Sequence, residues 1–253
     1  MTVYEKLLKI KNDKGAGYLV LIDPDKGSIE KLTELAKTCE KQEVDGLLIG
    51  GSLLLSTRFD ELVKAIKKAV SIPVILFPGS SRQISAHADA ILFMSLISGR
   101  NPQNLIGEQV MAAPVVRETG IEPISMGYML VESGQTTSAE FISNTRPLPR
   151  NKPEIAVAHA LAAEYLGMKL VYLEGGSGAD HSVPEEMIQA VESVLSIPLI
   201  VGGGIRNADE AGRKVKAGAS FIVTGNFFES QENEKKLIQF AETIHNARQA
   251  DTE

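Results

Sequence analysis

The chain of 253 residues is 43% hydrophobic and 23% charged, with 22 Gly, 11 Pro, one Cys and no Trp. This is the composition of an ordinary globular protein and excludes disordered, collagen-like and disulfide-stapled classes. Its 26 Lys and Arg stand against 32 Asp and Glu, a net charge of −6 with no basic stripe, so nucleic acid is not an expected partner.

No apolar run approaches the roughly 20 residues of a membrane-spanning helix. The stretch Met1 to Lys14 lacks the apolar centre of a secretory signal, and the lone Cys39 fits a reducing, cytoplasmic setting.

From there on, short β-rich runs alternate with helical patterns. Tyr18–Asp23 is the first expected strand. Ile29–Lys41 is the first expected helix, started by Ser28 with Leu32, Leu35 and Ala36 facing inward. Strand Gly46–Gly50, helix Phe59–Val70 and strand Pro73–Phe77 follow. Only a short helical turn, Arg82 to His87, fits before strand Ala90–Met94, so the third crossover is truncated.

Pro123–Leu130 is the fifth strand, and a long polar stretch rich in Ser and Thr runs from Glu132 to Pro153, either a closing lid or a mobile loop. Helix Glu154–Leu166, strand Lys169–Glu174, helix Glu185–Leu195, strand Pro198–Gly202, helix Ala208–Lys216, strand Ser220–Thr224 and helix Asn233–Ala247 complete the pattern. Most strands are continuous apolar runs, as expected where both faces of a parallel strand are buried. Eight such units predict one α/β domain over residues 1–253, a TIM (β/α)8 barrel with a truncated third crossover helix; a doubly wound open sheet is the alternative.

In a barrel the chemistry lies just after the strand C-termini. The glycines after strands 6, 7 and 8 (Gly175, Gly176, Gly178; Gly202, Gly203, Gly204; Gly225) let backbone N–H groups approach an anion, and three consecutive units point to phosphate rather than to tight corners alone. Asp23, with Ser52 as second ligand, is a candidate Mg²⁺ site; the competing reading of Asp23-Pro24-Asp25 is a turn. Glu174 beside that phosphate loop reads as a general base, or else as one half of a salt bridge to Lys169 or Arg206. Tyr172 shares its strand face and either orients the carboxylate or the ligand, or packs as an aromatic with a satisfied hydroxyl. The four histidines show no metal spacing.

Together, Leu21-Ile22-Asp23-Pro24-Asp25-Lys26, Gly50-Gly51-Ser52, Tyr172-Leu173-Glu174-Gly175-Gly176-Ser177-Gly178, Gly202-Gly203-Gly204-Ile205-Arg206 and Gly225-Asn226 resemble the geranylgeranylglyceryl phosphate synthase family across essentially the whole barrel. The truncated third crossover is expected in that family. The resemblance implies a cytoplasmic, Mg²⁺-dependent prenyltransferase joining sn-glycerol 1-phosphate to geranylgeranyl diphosphate, a prenyl diphosphate, to give an ether lipid precursor. It also implies a homo-oligomer, dimer or hexamer. By matching residues, Asp23 and Ser52 would bind Mg²⁺ with the diphosphate. Tyr172, Leu173, Glu174, Gly175, Gly176, Ser177 and Gly178, with Gly203, Gly204, Gly225 and Asn226, would hold glycerol 1-phosphate. Glu174 would take the proton of the C3 hydroxyl. Phe77, Phe93, Met94, Met126, Tyr128 and Met129 are candidate lining for the prenyl chain, or ordinary core.

A bacterial branch of the family uses a heptaprenyl donor; the length of 253 residues and the extended loop look more like the geranylgeranyl branch. Two other readings compete. One is a phosphate-binding isomerase or cyclase barrel of histidine, tryptophan or thiamine biosynthesis, although strand 5 offers no acid before Glu132. The other is a barrel that binds a phosphate ligand without catalysis.

Overall fold

The computed structural model describes residues 1–225 and 233–248. Eight strands close a parallel barrel in sequence order: β1 (Gly17–Ile22), β2 (Gly46–Ile49), β3 (Val74–Leu76), β4 (Ala90–Leu96), β5 (Glu122–Leu130), β6 (Leu170–Glu174), β7 (Leu199–Gly202) and β8 (Phe221–Thr224). β8 returns to β1 with Tyr18 opposite Ile222.

Period-two alternation divides the apolar side chains into two layers. Leu48, Ile75, Leu92, Met126, Leu170, Tyr172, Ile200 and Phe221 fill the inside of the barrel. Val20, Leu47, Leu76, Ile91, Met129, Leu173 and Val201 point outward into the layer beneath the helices. The outer helices are α2 (Ile29–Lys41), α3 (Phe59–Ala69), α4 (Glu108–Thr119), α6 (Pro153–Tyr165), α7 (Glu185–Glu192), α8 (Ala208–Lys216) and α9 (Asn233–Asn246).

Two helices lie outside the repeating pattern. Helix α1 (Val3–Lys14) carries Val3 and Leu7 into the interior cluster, and so plugs the N-terminal end of the barrel. Thr2 and Glu5 cap it reciprocally, and Glu122 at the start of β5 accepts the Val3 and Tyr4 amides. The second is α5 (Ser138–Ser143), inside the long polar stretch after β5. That stretch is tied back to the barrel by a parallel bridge between Val131 and Leu148.

The third crossover is truncated further than the sequence indicates. Residues 82 to 87 form turns instead of a helical turn. Their side chains are committed to fixing the irregular path: Gln83 bonds both backbone groups of Gly51, and the Ser85 hydroxyl donates to Asp60. The outer face of β4 is therefore not covered by a helix on its β3 side, and it is there that the functional cavity extends.

Candidate active site

A cavity of about 550 Å³ opens at the C-terminal end of the strands, and every strand's rim contributes to it. Strand alternation turns Tyr172 and Glu174 of β6 inward, and both line this cavity. Glu174 is 94% shielded from solvent, since only 6% of it is exposed, and its Oε1 accepts the Gly176 N–H at 2.6 Å. Burial raises its pKa above the ordinary carboxylate value. The Gly176 N–H and the Tyr172 and Tyr128 phenols partly offset that rise. Among the described residues Glu174 forms no ion pair: Lys169 lies over the Tyr4 ring, and Arg206 donates to the Ala179 carbonyl.

Beneath the carboxylate lies an aromatic floor. The Phe77 and Tyr172 rings stack at 5.4 Å, and Tyr128 meets Tyr172 at 5.4 Å. The Tyr172 hydroxyl is buried in the field of Glu174 yet makes no well-formed hydrogen bond among the described residues. It points at Gly202, where a Cβ would come within 2.1 Å of it. An orphaned buried hydroxyl on a cavity wall is free to serve a ligand. Tyr172 is thus a packed aromatic whose hydroxyl faces Glu174 and has no hydrogen bond of good geometry among the described residues.

Gly203 has φ +80°, and Gly176, Gly178 and Gly204 share the left-handed region. The Gly204 and Gly225 amides have no partner among the described residues, and both residues line the cavity, as do Ser177, Gly178 and Gly203. Exposed amides on a left-handed turn suit an anion such as phosphate. Two of the expected residues stand elsewhere. Leu173 points outward into the layer beneath the helices, and Gly175 spends its amide on the Gly202 carbonyl; neither lines the cavity. Asn226 lies outside the described residues.

Across the mouth, the half-buried Asp23 and Ser52 line the same cavity. Asp23 Oδ1 accepts the Asp25 amide at 2.9 Å, a turn contact, while Oδ2 is unpartnered among the described residues. The turn reading is thus seen on Oδ1, while Oδ2 is left open toward the cavity. Burial raises its pKa, and the nearby Lys26 works against that rise. A partly desolvated carboxylate with one open oxygen and a hydroxyl lining the same cavity are hard-oxygen donors of the kind that would suit Mg²⁺. Among the described residues no three His, Cys, Asp or Glu gather as a metal cage.

The apolar arm of the cavity runs over β4. Phe77, Phe93, Met94 and Tyr128 line it, together with Ile84, Ile91 and Ala112. Ile91 and Phe93 are outward-facing residues that reach the cavity only because no helix covers this flank. Met126 lies deeper in the barrel interior and Met129 under the helices, so neither lines the arm. Thr137 is a residue the sequence reading missed: it caps α5, and it packs where a Cβ on Gly176 would lie 2.3 Å from its Cγ2. The spacing from Thr137 to Glu140 was the available signal.

The profile of the PcrB family matches residues 8–244. A geranylgeranylglyceryl phosphate synthase of Chitinophaga pinensis is 45% identical over 246 residues, covering 97% of this chain and 96% of that protein. Its counterpart from Pyrococcus horikoshii is 47% identical over 243 residues, covering 96% and 95%. The crystal structure of (S)-3-O-geranylgeranylglyceryl phosphate synthase from Thermoplasma acidophilum, in complex with its substrate sn-glycerol-1-phosphate, superposes with a TM-score of 0.92 at 37% identity, covering 97% of this chain and 99% of that one. By sequence and by fold, this chain belongs to the PcrB family, among the geranylgeranylglyceryl phosphate synthases.

Proposed function

We propose that this protein transfers a geranylgeranyl group from geranylgeranyl diphosphate to the C3 hydroxyl of sn-glycerol 1-phosphate. The observation that carries the reading is one cavity holding a buried, desolvated Glu174 between left-handed glycine turns, continuous with an apolar arm over β4. The bound sn-glycerol-1-phosphate of the Thermoplasma acidophilum relative supports the same acceptor here.

In this reading the amides of Gly204 and Gly225, with Ser177 and Gly178, hold the phosphate of the acceptor. Glu174 takes the proton of the C3 hydroxyl as that oxygen bonds to C1 of the donor. The C1–O bond to diphosphate breaks, and its electron pair leaves with the diphosphate. The raised pKa makes Glu174 a stronger base than a solvated carboxylate, and the enclosed site keeps water from competing. Tyr172 supports Glu174 from below and turns its hydroxyl, which has no well-formed hydrogen bond among the described residues, toward the acceptor.

Asp23 and Ser52 are the residues that would hold Mg²⁺, which neutralises charge on a departing diphosphate when bound. The apolar arm takes the chain of the donor, and a geranylgeranyl donor is favoured over a heptaprenyl one by the naming of the close relatives. A homo-oligomer is supported by the exposed apolar stripe Ile106, Val110, Met111 and Val115 along α4 and the turn before it. A cytoplasmic location is supported by the single buried thiol, and no described helix is long and apolar enough to cross a membrane.

The test is turnover with glycerol 1-phosphate, Mg²⁺ and C15, C20 and C35 prenyl diphosphates, following ether product and diphosphate release. A maximum at C20 supports the assignment, a maximum at C35 moves it to a heptaprenyl transferase, and no product with any donor overturns it.

A further inference from the structure

The loop after β2 carries Ser52, one of the two oxygen donors at the lip, yet it has little structure of its own. Residues 51 to 57 belong to no helix or strand. Among the described residues, every hydrogen bond that ties them to another part of the chain is made by one of two side chains, Gln83 or Asp25. The Ser52 hydroxyl makes no hydrogen bond there and stands open to the cavity.

Gln83 lies in the turns that take the place of the third crossover helix, and it is 1% exposed. Its Oε1 accepts the Gly51 amide at 3.2 Å and its Nε2 donates to the Gly51 carbonyl at 2.8 Å. One buried side chain therefore satisfies both backbone groups of a single residue, as a neighbouring strand would. From the other side, Asp25 accepts the Leu55 and Ser56 amides at 2.8 and 2.7 Å. The loop is clamped at Gly51 from the β3 side and at Leu55 and Ser56 from the β1 side, with Ser52 between the clamps.

Gly51 is where the first clamp reaches the site. A Cβ built on it would stand 3.7 Å from Cγ and Oδ1 of Asp23, so this residue packs directly against the carboxylate. A Cβ on Gly79, after β3, would lie 2.3 Å from the Gly51 carbonyl oxygen and 3.0 Å from the Ser52 Cα, so the third loop closes on the same peptide unit. Asp23, Gly51 and Ser52 line the cavity, and Gln83 does not. Gln83 thus acts on a ligand through Gly51 and Ser52 and not by contact. Mg²⁺ demands near-octahedral geometry with oxygens at about 2.1 Å, so a hydroxyl on an irregular loop serves as a donor when its own peptide is held in place.

We propose that Gln83 is a positioning residue for the cation and diphosphate half of the cavity: it fixes the Gly51–Ser52 peptide so that the Ser52 hydroxyl and the open Oδ2 of Asp23 serve one Mg²⁺, while Asp25 holds the far end of the same loop. The role rests on the Mg²⁺ reading of Asp23 and Ser52 above, and it deepens that reading by one residue outside the cavity wall.

The experiment is calorimetric titration of the full chain with inorganic pyrophosphate in Mg²⁺, and separately with glycerol 1-phosphate, for the parent, Gln83→Met, Ser52→Ala and the double variant. Gln83→Met keeps the volume of the side chain and loses both bonds to Gly51. Its affinity for pyrophosphate in Mg²⁺ falls about 10-fold or more, the range for removing a partner that orients a metal ligand, while glycerol 1-phosphate binding stays within about 2-fold. In turnover the KM of the prenyl diphosphate and the Mg²⁺ requirement rise by a similar factor, and kcat at saturation stays within about 3-fold. In the Ser52→Ala background the same substitution changes pyrophosphate affinity by less than about 2-fold, because the residue through which it acts is gone. Gln83→Asn, which keeps a buried amide but falls one methylene short of Gly51, gives the same selective loss and serves where Gln83→Met unfolds too readily to titrate. Unchanged pyrophosphate affinity in both Gln83 variants overturns the proposal. A loss that is equally large in the Ser52→Ala background, or that extends equally to glycerol 1-phosphate, also overturns it and leaves the Mg²⁺ reading standing, since Gln83 then supports the fold at large. Pyrophosphate binding by Ser52→Ala equal to that of the parent removes the Mg²⁺ reading of Ser52 and the proposal with it. The expected pattern of binding without ether product upholds the positioning role and removes the prenyl-transfer reading.

Discussion

Glu174 and Gly203 occupy each other's space: a Cβ built on Gly203 would lie 2.2 Å from Glu174 Oε1. The buried carboxylate of β6 can sit at the mouth only because the residue that follows β7 has no side chain. Gly203 also stands at φ +80°, where a Cβ is strained whatever the space. Gly203→Ala therefore combines a backbone cost of roughly 1–2 kcal/mol with displacement of the base. The expected result is a lower melting temperature and a fall in kcat of at least about 100-fold, which is the range for losing a positioned base. Wild-type kcat in this variant would show that the close approach does not matter for turnover.

Substituting the carboxylate itself separates chemistry from binding. Glu174→Gln keeps the shape and the acceptor for the Gly176 amide but removes the base, so kcat drops by about 10²–10⁴-fold while glycerol 1-phosphate affinity, read by calorimetry, stays within a few-fold. The pH dependence follows from the raised pKa: wild-type turnover falls on the acid side at a pH above the ordinary glutamate value of 4.5. Stability runs the other way. The folded state holds the proton more tightly than the unfolded one, so stability is lost as pH rises from the unfolded pKa through the folded pKa. The Gln variant escapes that loss and is the more stable protein at neutral pH, with the advantage vanishing in acid. A Gln variant less stable than wild type at pH 7 would contradict a desolvated anion.

What made this site readable is the sharp end of each buried strand. Parallel strands covered on both faces are continuous apolar runs, so Glu174 stands out as the first charge after Leu170 to Leu173, beside three glycines. Alternation explains why three of the expected residues do not line the cavity. Met129 and Leu173 fall on the outward register, and Met126 falls inward but below the cavity. Helix α1 was not visible because only Val3 and Leu7 are buried in a lysine-rich segment. Helix α4 was obscured by its π-helical entry at Gln103–Gly107 and the internal Pro114. That the outward faces of Ile91 and Phe93 belong to the cavity depends on a missing helix, which no local pattern encodes.

At the opposite lip, Asp23→Asn retains the Oδ1 contact with the Asp25 amide and loses only the charge on the unpartnered oxygen. The turn therefore survives, and the effect falls on the donor side. The expected outcome is a Mg²⁺ concentration for half-maximal turnover raised about 10-fold or more, with glycerol 1-phosphate binding unchanged. A magnesium titration superimposable on wild type would remove Asp23 from the metal site.

The N-terminal end of the barrel carries a carboxylate with the reverse titration. Asp45, just before β2, accepts Lys14 Nζ of α1 at 2.6 Å, the Tyr18 amide of β1 at 2.8 Å and His245 Nε2 of α9 at 2.8 Å, and so ties the C-terminal helix to the first two elements of the chain. Burial alone would raise its pKa, but His245, Lys14 and the Tyr18 N–H outweigh it and hold the carboxyl below its ordinary value of 3.8. A lowered folded pKa contributes stability above the unfolded pKa and loses it as pH falls through the folded one. Asp45→Asn, which leaves the His245 and Tyr18 donors and the part-exposed Lys14 facing a neutral group, costs about 1–3 kcal/mol at pH 7 with activity per folded molecule unchanged. In denaturant melts the gap between parent and variant narrows as pH falls below 3.8, because the protonated parent then resembles the amide. A gap that stays constant through that range would show that packing, not charge, holds the three elements together.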